Sequence, residues 1–491
     1  MMKVSSMGIR NSDKKLLFKP LKLSEFRKKI ADGLQNNTQE FDDISKVAKG
    51  QPAFRGIGQV HAPRLDSSAE SGWTFLINPN DEMANEIKNT IKPLAKLRGM
   101  ADNDQPLFFD SVPKDDWIFW LDDVYHEYRS CSKKHPPKYI FIIGSPDQIP
   151  LRFQSLLSLQ SYVGRLDFTH KAEKQEKILQ LKTYVEKLVK LENNNPVEKE
   201  TIFFATDHGI GEDGCYDPTH YNHLYLETPL VSDVKSMQNF HVTEITSTQA
   251  NPNQATKTSL LSNIENSKPA LVFTASKSIN ASGENIDTQN EITGSIVCEG
   301  NQEGPLDDYL ITADSISYEK PFCDGGIFFQ YSDCSYGIPS SSYLSSYIRD
   351  TNALGIPEPL ADRDFISAIP KRLLFHPNGP IAFIGHVDLE LMLSYTNNEQ
   401  PMPEGDRSSR LAPFSSCIDS LLKGRPVGFS LDSMIKNYGT LTALLATMHQ
   451  QYIQRNFQNE EEFLDKLLDT FIRSTEAGNY MVFGDPAANL S

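Results

Sequence analysis

Asp324-Gly325-Gly326-Ile327-Phe328-Phe329-Gln330-Tyr331-Ser332-Asp333-Cys334-Ser335-Tyr336-Gly337 is the stretch on which the fold turns. A short apolar run rich in β-formers ends at a lone cysteine, and a small-residue loop follows with Ser335, Gly337, Pro339 and Ser340. This pattern describes a buried strand that delivers a thiol to the carboxyl edge of a sheet, where open α/β folds place their sites. Thiol chemistry needs a thiolate, a base to make it, and backbone N–H groups to hold an oxyanion. A free cysteine is also a small buried hydrophobe in its own right. Cys334 therefore has two readings, nucleophile and packing residue.

Outward from this stretch the same strand signal recurs. Thr74 to Ile77, Lys138 to Gly144, Thr201 to Thr206, Phe240 to Ser247, Pro269 to Ser276 and Pro380 to His386 are apolar runs separated by longer connections. Such alternation predicts βαβ units and a mostly parallel sheet. Helical spacing marks Glu82 to Leu97, where Ile87, Ile91 and Leu94 share a face and Pro93 should kink or end the helix. It also marks Trp117 to Tyr128, whose close aromatics Trp117, Trp120, Tyr125 and Tyr128 read as core, and Lys171 to Asn193. The last third is helical (Ser415 to Leu422, Leu431 to Gln458, Glu460 to Ser474) and closes on a strand at Asn479 to Phe483. Before Trp73 the chain is polar and weakly patterned, apart from an amphipathic stretch at Leu21 to Leu34. The expected organisation is a polar, partly disordered arm over residues 1–70, a first α/β subdomain over 73–195, a second over 198–388 that carries Cys334, and a helical portion over 389–491.

A net charge of −16 argues against a phosphate-backbone partner. The basic run from Lys171 to Lys190 is interleaved with Glu at helical spacing, which makes it a solvated face. No apolar run approaches membrane-spanning length, and the first 19 residues lack the apolar segment of a secretory signal. Six cysteines in 491 residues form no disulfide framework, so a reducing, cytoplasmic setting is expected. Cys215, Asp217, His220 and His223 are metal-ligand types, but their spacing matches no standard zinc module. No metal and no cofactor are expected.

Five motifs in order carry a family resemblance. They are Ile143-Gly144-Ser145-Pro146-Asp147-Gln148-Ile149-Pro150 with Val163-Gly164-Arg165-Leu166-Asp167, then Pro269 to Ser276, then Cys334-Ser335-Tyr336-Gly337, then Ile384-Gly385-His386-Val387-Asp388, and finally Gly484-Asp485-Pro486. From Trp73 to the C-terminus the chain resembles the gingipain-like cysteine peptidases, relatives of the caspases. The resemblance implies a caspase-like α/β fold and a cysteine endopeptidase acting on protein or peptide substrates. It implies Cys334 as nucleophile and a histidine-glycine pair at the end of the preceding strand, whose glycine N–H joins the cysteine N–H at the oxyanion. Projected onto this chain, the histidine position falls on Lys277 and the glycine position on Ser278.

That departure shapes the functional expectation. Imidazole both accepts and gives a proton near neutral pH, whereas an ordinary lysine is already cationic. Lys277 could lower the thiol pKa as a nearby cation, or act as base only if burial depressed its own pKa by several units. His208, followed by Gly209 after the Thr201 to Thr206 run, is a second candidate for the base. Ser278 and Gly337 are the candidates around the oxyanion and its loop, and Asp333 and Asp207 are candidates for a substrate pocket. His386 reads as a structural residue at a strand end. Two functions follow: an endopeptidase with an impaired site, or a pseudopeptidase that keeps the fold as a protein-binding or regulatory module.

Overall fold

The two apolar runs that flank the cysteine stretch form neighbouring strands buried on both faces. In the computed structural model, β8 (Pro269–Ala275) and β12 (Ile327–Tyr331) pair in parallel, with Ile327 opposite Leu271 and Tyr331 opposite Ala275. Continuous burial of this kind is what a parallel sheet covered by helices requires. The structure describes residues 6–17, 47, 64–130, 136–194, 198–210, 216–248, 251–300, 304–345, 356, 359–392, 394–396 and 404–490. The amphipathic stretch Leu21 to Leu34 lies outside them, as do Cys131 and Cys215 and the side chains of Tyr125 and Tyr128.

Ten strands make the main sheet. In chain order they are β2 (Trp73–Ile77), β3 (Leu107–Phe108), β4 (Tyr139–Ile143), β5 (Tyr162–Leu166), β6 (Glu198–Ala205), β7 (His241–Thr246), β8, β12, β15 (Ala382–His386) and β16 (Tyr480–Phe483). Their spatial order is β3-β2-β4-β5-β16-β15-β12-β8-β6-β7. Every neighbouring pair is parallel except β15 with β16. The sheet is thus two parallel halves of opposite direction. The C-terminal strand joins them, running with the first half and pairing against the second. The fold is α/β, with a mostly parallel sheet flanked by helices and a helical C-terminal part.

The helices follow the apolar spacing. In Ala84–Leu97 the buried face is Ile87, Ile91 and Leu94; Pro93 lies inside the helix and does not end it. Lys174–Asn194 buries Leu181, Tyr184, Val185 and Leu188. Trp117 and Trp120 pack edge-on against Phe153, with ring centroids 5.5 and 5.2 Å apart; Trp117 is core and Trp120 is partly buried against it. In the C-terminal part Glu404–Leu422, Asp432–Ile453 and Glu460–Ala477 pack on one another. Among the described residues no helix is long and apolar enough to cross a membrane.

A second, smaller sheet stands over the carboxyl ends of β8 and β12. The chain leaves β8 through Ser276 and enters β9 (Lys277–Asn280) directly. β9 pairs antiparallel with β10 (Ile296–Val297), which pairs antiparallel with β11 (Leu310–Ile311). The free side of β9 is filled by β1 (Gly8–Arg10), in parallel, with Gly8 opposite Ser278 and Arg10 opposite Asn280. β1 turns back on itself: Ile9 bridges Leu16, and the Leu17 N–H donates to the Gly8 carbonyl at 2.8 Å.

Candidate functional site

Cys334 sits three residues beyond the end of β12, fully buried, in a left-handed conformation with φ of 51°. A non-glycine residue rarely adopts this conformation, and it persists only where surrounding bonds hold it. Here they do. The Cys334 N–H donates to the Asp388 carbonyl at 2.9 Å, and the Cys334 carbonyl accepts from Ser367 Oγ at 2.7 Å. The thiol itself donates to the same Asp388 carbonyl at 3.5 Å. Burial, reinforced by the carboxylates of Asp333 and Asp388, pushes the thiol pKa well above its ordinary value, and Asn280 opposes this only in part. Cys334 is therefore protonated at neutral pH.

Lys277 opens β9, and its ammonium is 2.5 Å from Asp217 Oδ2. Asp217 also caps the helix Pro218–Asn222 through the Thr219 N–H. Burial raises the Asp217 pKa, but the charges of Lys277 and His208 and the hydrogen bonds from Lys277 and the Thr219 N–H outweigh it and leave the group below its usual range. His208 belongs to the same cluster. Its backbone N–H donates to Thr219 Oγ1 at 2.9 Å, while its buried Nε2 has no hydrogen-bond partner among the described residues. Burial first and the Lys277 charge second pull the His208 pKa down to about 4. Asp207 accepts from the Gly209 N–H at 2.9 Å and lies 2.9 Å from His220 Nδ1. His208, Lys277, Asp207 and Asp217 thus form one polar knot at the carboxyl ends of β6 and β8. Among the described residues no group of three or more His, Cys, Asp or Glu has metal-binding geometry.

Ser278 and Asp333 meet the amino-terminal hairpin instead. The Ser278 N–H, the projected oxyanion donor, donates to the Met7 carbonyl at 3.2 Å, and Ser278 Oγ donates to the Asp333 carbonyl at 2.6 Å. The Asp333 carboxyl accepts from Ser6 Oγ, from the Met7 N–H at 3.0 Å and from the Glu390 N–H at 3.1 Å. Burial, only partly offset by these bonds, raises its pKa to about 7. Gly337 begins a two-residue strand, β13 (Gly337–Ile338), paired with β14 (Phe365–Ile366); a Cβ there would come 2.5 Å from the Phe365 carbonyl oxygen. Glycine at this position permits close backbone approach.

The imidazole whose bonds meet those of Cys334 is one the sequence reading took as structural. His386 Nδ1 lies 3.3 Å from the Asp388 carbonyl oxygen, the same atom that takes the Cys334 thiol. The His386 N–H donates to Ser335 Oγ at 2.9 Å. Burial holds the ring neutral, its pKa lowered to about 4 against the opposing effect of the Asp388 and Glu476 backbones, and Nδ1 faces the Asp388 carbonyl, which can only accept. Asp388 was not singled out as a site residue, although it closes the Ile384-Gly385-His386-Val387-Asp388 motif. Nothing local in the sequence marks a backbone carbonyl as an acceptor for a residue 54 positions away.

Fold and site together define an α/β protein with a buried thiol at the carboxyl end of a parallel strand. No protein-family model matches the chain, and no curated protein matches it. Among solved structures it is similar to the Arg-specific cysteine proteinase gingipain R, with a TM-score of 0.45 and 10% identity over 86% of this chain and 78% of that one. It is similar to a structure described only as a protease, with a TM-score of 0.45 and 9% identity over 85% and 78%. It is also similar to the Saccharomyces cerevisiae separase–securin complex, with a TM-score of 0.34 and 9% identity, over 94% of this chain and 24% of that one.

Proposed function

We propose that this chain is a gingipain-type homologue with an impaired hydrolytic site, which works as a pseudopeptidase: it holds an extended protein segment without cleaving it. The observation that carries this reading is the closed hydrogen bonding of Cys334. Its thiol and its N–H both donate to the Asp388 carbonyl. A protonated, enclosed thiol is a poor nucleophile. The Ser278 N–H is engaged by Met7, so neither projected oxyanion donor is free in this state. Lys277 is ion-paired to Asp217, which removes it as a base for the thiol.

The second reading is a latent cysteine endopeptidase with Cys334 as nucleophile. It is favoured by the strained left-handed backbone at Cys334, because such strain gathers at active sites.

A thiol-reactive peptidyl probe separates the two. On the pseudopeptidase reading, mass spectrometry of the native protein finds Cys334 labelled no faster than buried Cys298, Cys323 and Cys417. Labelling of Cys334 more than tenfold faster, with cleavage of a peptide library that Cys334→Ala abolishes, would overturn it.

A further inference from the structure

We propose that the amino-terminal hairpin, residues 6–17, is a displaceable tenant of the β9 edge. When it leaves, that edge takes up an extended segment of another protein with the same pattern of hydroxyl residue, apolar residue, glycine and apolar residue. This rests on the reading of the chain as a protein-binding module and names the class of segment it binds.

The pattern is written in the seat. β1 completes a sheet edge by main-chain pairing, the general mode of strand addition. The Ser278 N–H donates to the Met7 carbonyl at 3.2 Å, and the Asn11 N–H donates to the Asn280 carbonyl at 3.1 Å. Such bonds accept any backbone, so selectivity must come from the side chains. Ser6 places its hydroxyl on the Asp333 carboxyl, and the Met7 N–H reaches the other oxygen of that carboxyl. At Gly8 a Cβ would lie 2.7 Å from Asp333 Oδ2 and 3.3 Å from Ser6 Oγ, so a side chain there collides with the group that recognises Ser6. Met7 is fully buried, and its sulfur accepts from Asn222 Nδ2 at 3.5 Å. Ile9 packs into a separate apolar cluster with Ile279, Val297, Tyr309 and Leu310. Ser6 and Gly8 are thus both read by the Asp333 carboxyl, Met7 by its buried seat beside Asn222, and Ile9 by the small apolar cluster.

The tenant is also local. β1 has three residues and, among the described residues, pairs with β9 and bridges back to Leu16, forming the outer edge of the small sheet. Short edge elements open well below the global unfolding free energy. The next residue after the clamp Asp333 is Cys334, so the edge lies beside the buried thiol.

The test uses the full chain with a protease site inserted after Lys19, cut after folding. The probe is a fluorescein-labelled synthetic peptide of residues 6–17, followed by fluorescence polarisation. The cut protein should bind it saturably, the uncut chain at least tenfold more weakly. A Gly8→Val or a Ser6→Ala peptide should bind the cut protein at least tenfold more weakly than the parent. Equal binding of the Gly8→Val peptide, or no binding by a cut chain with native circular dichroism, would overturn the proposal. Should the cut chain unfold, hydrogen exchange on the intact protein decides. Amides of Gly8 to Asn11 and of Ser278 should exchange together and faster than those of β8 and β12; exchange at the same rate refutes a displaceable tenant. Fast probe labelling of Cys334 would remove the pseudopeptidase reading and leave peptide binding standing, so the two failures are distinguishable.

Discussion

Lys277 shows how a carboxylate partner fixes where a charge sits. An ammonium beside Asp217 has no reason to stay near a neutral thiol, because the paired carboxylate stabilises its charge far more than a protonated sulfur does. It also disfavours a second positive charge nearby, and His208 feels this in addition to its burial. Lys277→Met should therefore raise the His208 pKa from about 4, read by the titration of its ring protons in NMR. The sign carries into stability. His208 takes up its proton at an ordinary pKa of 6.5 when unfolded but only at about 4 when folded, so stability falls as pH drops through that window. In Lys277→Met that acid-side fall should be shallower. At neutral pH the variant should be less stable by about 1–3 kcal/mol, because Asp217 is left without its cation. The rate of Cys334 labelling should not change; a drop would mean that Lys277 does activate the thiol.

At the scale of elements, the clamp between the hairpin and the β12 loop has the opposite pH sign. Asp333 is surrounded by Ser6, the Met7 and Glu390 amides, and the carboxyl of Glu390, and its folded pKa of about 7 stands above its ordinary 3.8. Between those values the folded protein holds a proton that the unfolded chain has released. Asp333 thus contributes stability at low pH that is lost as pH rises through 7. Asp333→Asn removes that titration. Urea unfolding from pH 4 to 8 should show the stability difference, wild type minus variant, falling as pH rises and levelling above about pH 7. A pH-independent difference would mean that the carboxyl does not titrate there. The two partners of this clamp differ in how far they can be read from sequence. Eight of the ten main-sheet strands are legible because runs such as Ile327 to Tyr331 are largely apolar and bounded by turn residues, whereas β3, only two residues long, and β5, interrupted by Gly164 and the buried Arg165, carry no such run. Cys334 and Asp333 are legible for the same reason, as residues just past such a run. β1 is not, since three residues carry no period and its pairing partner lies about 270 positions away. The Lys277–Asp217 pair and the Asp388 carbonyl are hidden likewise, because charge and backbone partners are chosen by the tertiary fold.

For the whole molecule the decisive feature is the seam between β15 and β16, the one antiparallel pairing in the main sheet. It explains two motifs that the sequence marked without giving a reason. Arg165 of β5 is fully buried and grips the turn after β4, donating to the Gly144 carbonyl at 2.9 Å and the Ile149 carbonyl at 2.5 Å. Asp485, just past β16, accepts from Trp73 Nε1 at 2.8 Å and from Arg98 Nε at 2.7 Å, while Arg98 also holds Glu192. The last strand is therefore pinned to β2 and to the helices Ala84–Leu97 and Lys174–Asn194 of the first half while it pairs with the second. Removing Asp485 leaves a buried guanidinium short of one carboxylate and an indole N–H without its acceptor. Breaking a buried ion pair from one side costs about 3–5 kcal/mol. Asp485→Ala should lower stability by about that amount, with the urea midpoint shifted and a single transition retained. The same midpoint should be reported by tryptophan fluorescence, which senses the first half through Trp73, and by hydrogen exchange of β8 and β12 in the second. Loss of coincidence, with the first half melting ahead of β8 and β12, would show that β16 does not couple the halves into one cooperative unit.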